Sequence, residues 1–362
     1  MFEQAVEAAL AQVAEAVRER LADDALAAPE QRLDLLGEGF ARALVGGKRL
    51  RAAFVHAGWS AVERGAGALA EPELVLLAAS FEVFHASALV HDDVIDGAPT
   101  RRGQPSIHRW LSDAAGSEQG QLSGEALAIL VGDLLLIEAD RLAHLAMAEA
   151  DLPLRNDILA LLDSTRSTVI AGQFLDTLAP TLPMPDPDTQ AAHAWRVLKA
   201  KSADYSVAAP LRLGALAAAA TPEALDALAQ YGQLVGEGFQ LRDDLLGVFG
   251  TEEETGKPVG SDLRDRKQTV LLATTRRRLK DDDREFFDAL LLTRAPLAPR
   301  EPHHPPADAI IILRELISLI GARREVERMI TSRHKAALAA LAPLPHPQPL
   351  RRLARLTLTR RR

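Results

Sequence analysis

Asp92, Asp93 and Asp96 close an apolar run in the segment His91-Asp92-Asp93-Val94-Ile95-Asp96. On a helix, Asp92 and Asp96 stand one turn apart on a shared face, with Cβ atoms about 5–6 Å apart. Three carboxylates at a helix C-terminus are disfavoured by the macrodipole, so a bound positive charge is expected there. The chain contains no Cys, and this run holds no paired His. Carboxylate oxygens alone suit a hard cation, and Mg2+ held by a few carboxylates plus substrate phosphates fits best. Taken singly, the motif reads equally as a solvated acidic helix end.

A second run, Phe239-Gln240-Leu241-Arg242-Asp243-Asp244, ends another apolar helix with an acidic pair, and Gln240 lies one turn before that pair. Two acidic helix ends facing each other across a cavity would grip metal ions from both sides. A diphosphate bridged by several Mg2+ ions would complete the charge balance. Cations stand where such a diphosphate needs them. Gly46-Gly47-Lys48-Arg49-Leu50-Arg51 is a glycine pair followed by three cations, with Lys48 and Arg51 one turn apart. Arg101-Arg102-Gly103 follows the first acidic cluster, Lys201 starts a further segment, and Lys257 and Lys267 lie in the polar stretch after the second cluster. Arg forks and Lys point charges both suit phosphate oxygens, although each of these residues alone reads as surface charge. His85, seven residues before Asp92 on the same helical face, favours a polar pocket and a phosphate contact over the usual core histidine. No GxxxxGKS/T, HExxH or GxSxG occurs, and no GxGxxG precedes a helix, so nucleotide-loop, zinc-protease, hydrolase and dinucleotide chemistry lack support.

Helices must position these groups. Hydrophobic residues make up 48% of the 362, charged residues 25% and aromatics 4%, which excludes a disordered chain and biases the fold towards helix. The net charge of −8 argues against a dedicated nucleic-acid binder, and the lack of Cys excludes disulfides, Cys-ligated zinc and thiol nucleophiles. Helical spacing of apolar residues predicts helices over 72–96, 124–150, 155–178, 190–220, 223–249 and 308–341, with Pro72 at a helix start and Gly97 at a stop. Strand-like alternation is missing. Pro-rich stretches at 180–187, 295–306 and 343–349 read as loops between helices. The N-terminus carries Glu3, Glu7 and Glu15 where a signal peptide needs basic residues, and apolar runs such as LAILVGDLLLIEA are broken well short of a membrane span. The expectation is one all-α domain over residues 1–362, without a transmembrane segment, in the cytoplasm.

Taken together, GGKRLR, HDDVIDGAPTRRGQP, Lys201-Ser202 and GFQLRDD with its Lys-bearing loop resemble the trans-polyprenyl diphosphate synthases, the family of the farnesyl and geranylgeranyl diphosphate synthases. The motifs run in family order from residue 46 to 270. The resemblance implies an all-α bundle of the isoprenoid synthase type around a deep apolar cavity, usually a homodimer. The implied reaction is Mg2+-dependent head-to-tail condensation of an allylic diphosphate with isopentenyl diphosphate. Carried over, Asp92 and Asp96 resemble the first-motif metal ligands with Asp93 beside them, and Asp243 and Asp244 the second metal-binding pair. Arg101, Lys201, Gln240, Lys257 and Lys267 resemble ligands of the allylic diphosphate. Lys48, Arg51, His85 and Arg102 resemble the isopentenyl diphosphate pocket, and Gln173 and Asp176 in GQFLD resemble a further helix facing the cavity.

Two departures stand out. Gly247 occupies the position where the second motif usually has a third Asp, and Ser202 replaces a Thr while keeping the hydroxyl. A class I terpene cyclase is the first alternative, but it needs no second diphosphate pocket and its metal triad is not apparent. A non-catalytic regulatory subunit is the second, and it should have lost Asp92, Asp93 and Asp96. For product length, Ser87 and Ala88 lie five and four residues before Asp92, where farnesyl-type relatives often carry an aromatic plug. Phe84 and Phe81, further upstream, are expected to form the floor, which points to a twenty-carbon product over a farnesyl or longer one. The basic tail at 351–362 reads first as a solvated helix end.

Overall fold

The computed structural model describes residues 1–23, 33–115, 120–252, 259–292 and 306–358, without the side chains of 120–123 and 358. The helices are α1 (Phe2–Asp23), α2 (Asp34–Leu44), α3 (Leu50–Ser60), α4 (Glu71–Ile95), α5 (Ile107–Ala115), α6 (Gly120–Ala146), α7 (Leu152–Leu178), α8 (Pro187–Val197), α9 (Ala209–Ala217) and α10 (Pro222–Phe249). They continue as α11 (Ser261–Arg264), α12 (Val270–Arg278), α13 (Asp281–Leu292), α14 (Ala307–Leu319), α15 (Ala322–Ala340) and α16 (Gln348–Leu358). The sheet among the described residues is a hairpin of two short strands, β1 (Thr100–Arg101) and β2 (Gln104–Pro105). The fold is all-α.

Local chemistry starts and stops these helices. Val6, Leu10, Val13 and Val17 recur at helical spacing along α1 and are all buried, while Glu3 and Arg20 complement the dipole at its two ends. Pro72 sits in the first turn of α4. The Asp186 carboxylate accepts from the Asp188 and Thr189 amides at 3.1 and 3.0 Å and so caps α8.

The chain divides into two compact units, residues 1–158 with 210–221 and residues 159–209 with 222–362. In the first, α4 packs along α6, α5 also lies on α6, and α1, α2 and α3 surround α4. The Ser87 hydroxyl donates to the Gly132 carbonyl at 2.8 Å, tying α4 to α6. In the second, α10 packs against α15, α11, α16 and the segment Leu198–Ala208, and α12 packs against α8 and α15. Its core includes Leu241, Leu245, Leu271, Phe287, Leu313, Ile317 and Val326. The buried Tyr231 hydroxyl donates to the Leu350 carbonyl at 2.6 Å and holds α16 in place.

Two expectations change. The 190–220 run is interrupted by wider π-helical winding over Leu198–Ala208. The 308–341 run breaks at Gly321, whose φ of +79° permits the turn that separates α14 from α15. As expected, no membrane span is needed: α4 is long and apolar enough to cross a membrane, but most of it is buried inside the protein. It serves here as a core helix.

Candidate active site

In the first unit, α4 delivers its carboxylates where it ends. The Asp96 amide donates to the Asp92 carbonyl at 2.8 Å, so Asp96 is the C-cap. Asp92 is half-buried, Asp96 exposed and Asp93 buried. The hairpin that follows turns through Arg102 and Gly103, with φ of 53° and 74°, and pairs Thr100 with Pro105 and Arg101 with Gln104. That turn sends its two arginines to different partners. Arg101 grips the Asp93 carboxylate with Nε, at 2.9 and 3.1 Å, and with Nη2, and Nη2 also lies 3.8 Å from Asp92. Burial works against the Arg101 charge, and the Asp93 hydrogen bonds and the nearby carboxylates more than offset it.

Arg102 reaches instead to the loop before α3. Its Nη1 donates to the Val45 and Gly46 carbonyls at 2.9 and 2.7 Å, and its guanidinium lies directly over Gly47, where a Cβ would come within 2.8 Å of Nη2. Lys48 is exposed on this loop and Arg51 is half-buried in the first turn of α3. Arg49 turns inward. It is buried, and its Nε and Nη2 donate to the Glu7 carboxylate at 2.6 and 3.1 Å. His85 sits amid this group. Burial, then the fields of Arg51, Arg102, Arg101 and Arg49, hold its imidazole well below the usual range, so it is neutral at pH 7. Arg51, Arg101 and Arg102 therefore gather positive charge around a neutral His85, the kind of surface that receives a polyanion.

The second unit differs. The acidic pair does not close its helix: Asp243 and Asp244 lie within α10, which runs on to Phe249 as the 223–249 spacing predicts, because Leu245, Leu246, Val248 and Phe249 extend its apolar face. Asp244 is buried, and Gln240 Nε2 donates to its Oδ1 at 2.9 Å. Burial pushes this carboxyl up to about 8; the Gln240 hydrogen bond opposes the rise, and Asp262, Asp243 and Asp176 reinforce it. Lys201, within the π-wound segment, donates to Asp176 of α7 at 2.6 Å, and Ser202 beside it is half-buried. Gln173 stands one turn before Asp176. Lys267 is half-buried, and its amide donates to the Asp262 carbonyl at 2.9 Å. Lys257 lies outside the described residues.

Asp262 is the residue that sequence reasoning missed. A Cβ on Gly247 would fall 2.0 Å from Asp262 Oδ2 and 2.4 Å from its Cγ. The carboxylate of Asp262 thus lies where a side chain at 247 would begin, and position 247 must be glycine to admit it. The signal available beforehand was the unusual glycine itself.

Both carboxylate groups fit a hard cation by donor chemistry, and a bound cation would relieve the crowding around Asp244. Among the described residues no three His, Cys, Asp or Glu side chains form a ready-made metal cage.

A model of the polyprenyl synthetase family matches residues 35–298. The (2E,6E)-farnesyl diphosphate synthase of Mycobacterium tuberculosis is 34% identical over 240 residues, 61% of this chain and 61% of that protein. The geranylgeranyl diphosphate synthase of the same organism is 31% identical over 297 residues, 82% of this chain and 75% of that protein. A crystal structure of geranylgeranyl pyrophosphate synthase from Corynebacterium glutamicum, complexed with isoprenyl diphosphate and magnesium, superposes with a TM-score of 0.82 at 31% identity, covering 100% of this chain and 99% of that one.

Proposed function

The chain belongs to the polyprenyl synthetase family of prenyltransferases, and from that premise we propose that it condenses an allylic diphosphate with isopentenyl diphosphate, head to tail and with Mg2+, to make geranylgeranyl diphosphate. The observation that carries the reading is the nest of Arg51, Arg101 and Arg102 around a neutral His85, in the same unit as Asp92 and Asp96. A cyclase, which ionises one diphosphate, has no need of a separate cationic nest beside its carboxylates.

Asp92 and Asp96 in the first unit, and Asp243 and Asp244 in the second, are the residues that would hold Mg2+. Held there, Mg2+ would supply positive charge to a departing diphosphate, the charge stabilisation that breaking the allylic C–O bond requires. Lys48, Arg51 and Arg102 bind the isopentenyl diphosphate as point charges and forks, and neutral His85 adds a hydrogen bond without adding charge. Arg101, anchored on Asp93, faces the allylic diphosphate, and Lys201, Gln240 and Lys267 serve that same substrate. The apolar interior of the helical fold keeps water from the cation.

Ser87 and Ala88 support the twenty-carbon product, because neither blocks the helix upstream of Asp92. Phe81 and Phe84 pack edge-on with ring centroids 6.4 Å apart and would form the floor. Exposed Leu130, Ile137 and Leu145 along α6 support a homodimer, and a core role for α4 supports a protein that works in the cytoplasm. The test is to incubate the enzyme with Mg2+, isopentenyl diphosphate and each allylic starter, and to size the products. Phe84→Ala should lengthen the product and Ser87→Phe shorten it. Unchanged lengths in both would place the floor elsewhere.

A further inference from the structure

Helix α3 carries Arg51 in its first turn, yet its own N-cap is poor. Arg49 holds that position in a left-handed conformation, with φ of 46°, and makes no side-chain cap hydrogen bond. For a non-glycine residue this conformation is strained and persists only where the surroundings impose it. They do so from α4. Glu82, buried to 3% exposure and one turn before His85, accepts the Ala52 amide of α3 on Oε1 at 3.0 Å. Its Oε2 lies 3.8 Å from Arg49 Nη1. One carboxylate thus satisfies an orphan amide of α3 and faces the inward arginine of the loop. Glu7 of α1 holds that arginine from the other side.

This arrangement matters because the loop carries the diphosphate-binding cations. Lys48 and Arg51 flank Arg49 in the chain, and Arg102 is bonded to the carbonyls of Val45 and Gly46 just upstream. A shift of the Arg49 turn would move all three against His85. We infer that Glu82 is a positioning residue for the isopentenyl diphosphate: by capping α3 and facing Arg49 it sets where Lys48, Arg51 and Arg102 stand. The inference rests on the reading of those three residues proposed above.

The test is steady-state kinetics on the full chain with Mg2+, varying each substrate separately, joined to calorimetric binding of isopentenyl diphosphate alone. Glu82→Gln keeps an acceptor for the Ala52 amide but removes the charge facing Arg49. It should raise KM and Kd for isopentenyl diphosphate about tenfold, with KM for the allylic substrate and kcat within about twofold. Glu7→Gln disturbs the same arginine from a half-exposed position on α1. It should raise the same KM about threefold, and it decides the matter should Glu82→Gln fail to fold. Lys48→Ala and Arg102→Ala are measured alongside. If they raise KM for isopentenyl diphosphate while Glu82→Gln and Glu7→Gln do not, the positioning role is wrong and the substrate assignment stands. If Lys48→Ala and Arg102→Ala leave it unchanged, the assignment fails and the inference with it. Equal losses for both substrates in Glu82→Gln would show a role in folding only and overturn the proposal.

Discussion

The two carboxylate stretches handle their charge in opposite ways. At the end of α4 the one buried carboxylate, Asp93, is neutralised by a guanidinium, while Asp92 and Asp96 stay within reach of solvent. Within α10 the buried carboxylate, Asp244, accepts from a neutral amide, and three further carboxylates press on it. The first stretch is compensated by its own chain before any ligand arrives. In the second, burial and neighbouring carboxylates push Asp244 up to about 8, so a metal bound there would have to displace a proton. Helix position underlies the difference: a C-terminus can hand its carboxylates to the next loop, whereas a mid-helix pair is confined by its neighbours.

Breaking the first stretch should have the larger effect. Asp92→Ala removes one of the two carboxylates offered to the metal and should lower turnover by about a hundredfold or more, as expected when charge stabilisation at the leaving group fails. Folding should survive, since a negative charge at a helix C-terminus is relieved, which is worth about 0.3–1 kcal/mol. Near-normal turnover would refute the ligand assignment.

In the second stretch the informative variant is the one that restores the usual motif. Gly247→Asp adds a third aspartate to α10, but its side chain would start on top of the Asp262 carboxylate. Thermal melts should show a loss of about 1–3 kcal/mol, typical of overpacking, together with weaker Mg2+ dependence. The double variant Gly247→Asp/Asp262→Ala should recover part of both. A single variant as stable as the parent, with tighter Mg2+ dependence, would show that Asp262 does not hold that place.

The smallest effect is on pH. Asp244 titrates near 8 in the folded chain, whereas an unfolded Asp releases its proton near about 3.9. Between those values the native state binds more protons than the unfolded state, so metal-free stability should fall as pH rises from about 4 to about 8. Asp244→Asn should flatten that slope, and so should Mg2+ with inorganic diphosphate. A melting series in chelator with no difference between parent and variant would remove the basis for the contrast between the two stretches.

Much of this was legible from residue spacing. The helices follow from apolar periodicity, and the Asp92/Asp96 face and His85 follow from helical geometry. What escaped depended on tertiary contact. Asp262 lies fifteen residues from Gly247 across a polar stretch, and no local pattern joins them. Arg49 reads as one of three equivalent cations in GGKRLR; its left-handed backbone and its inward contacts with Glu7 and Glu82 are visible only in the fold. The π winding at 198–208 carries no distinctive composition, although it brings Lys201 to Asp176. The end of α10 was legible in the 223–249 spacing, and only the placing of the acidic pair at that end was wrong.

The most direct measurement is transfer itself. The purified chain, with no other protein, is given labelled isopentenyl diphosphate and an allylic diphosphate, with Mg2+ or with a chelator. Prenyl product should form with Mg2+ alone and vanish with chelator, and Asp92→Ala should match the chelated sample. Product that appears only when a partner chain is added would contradict a self-sufficient prenyltransferase, and product that persists in chelator would contradict the role given to both carboxylate stretches.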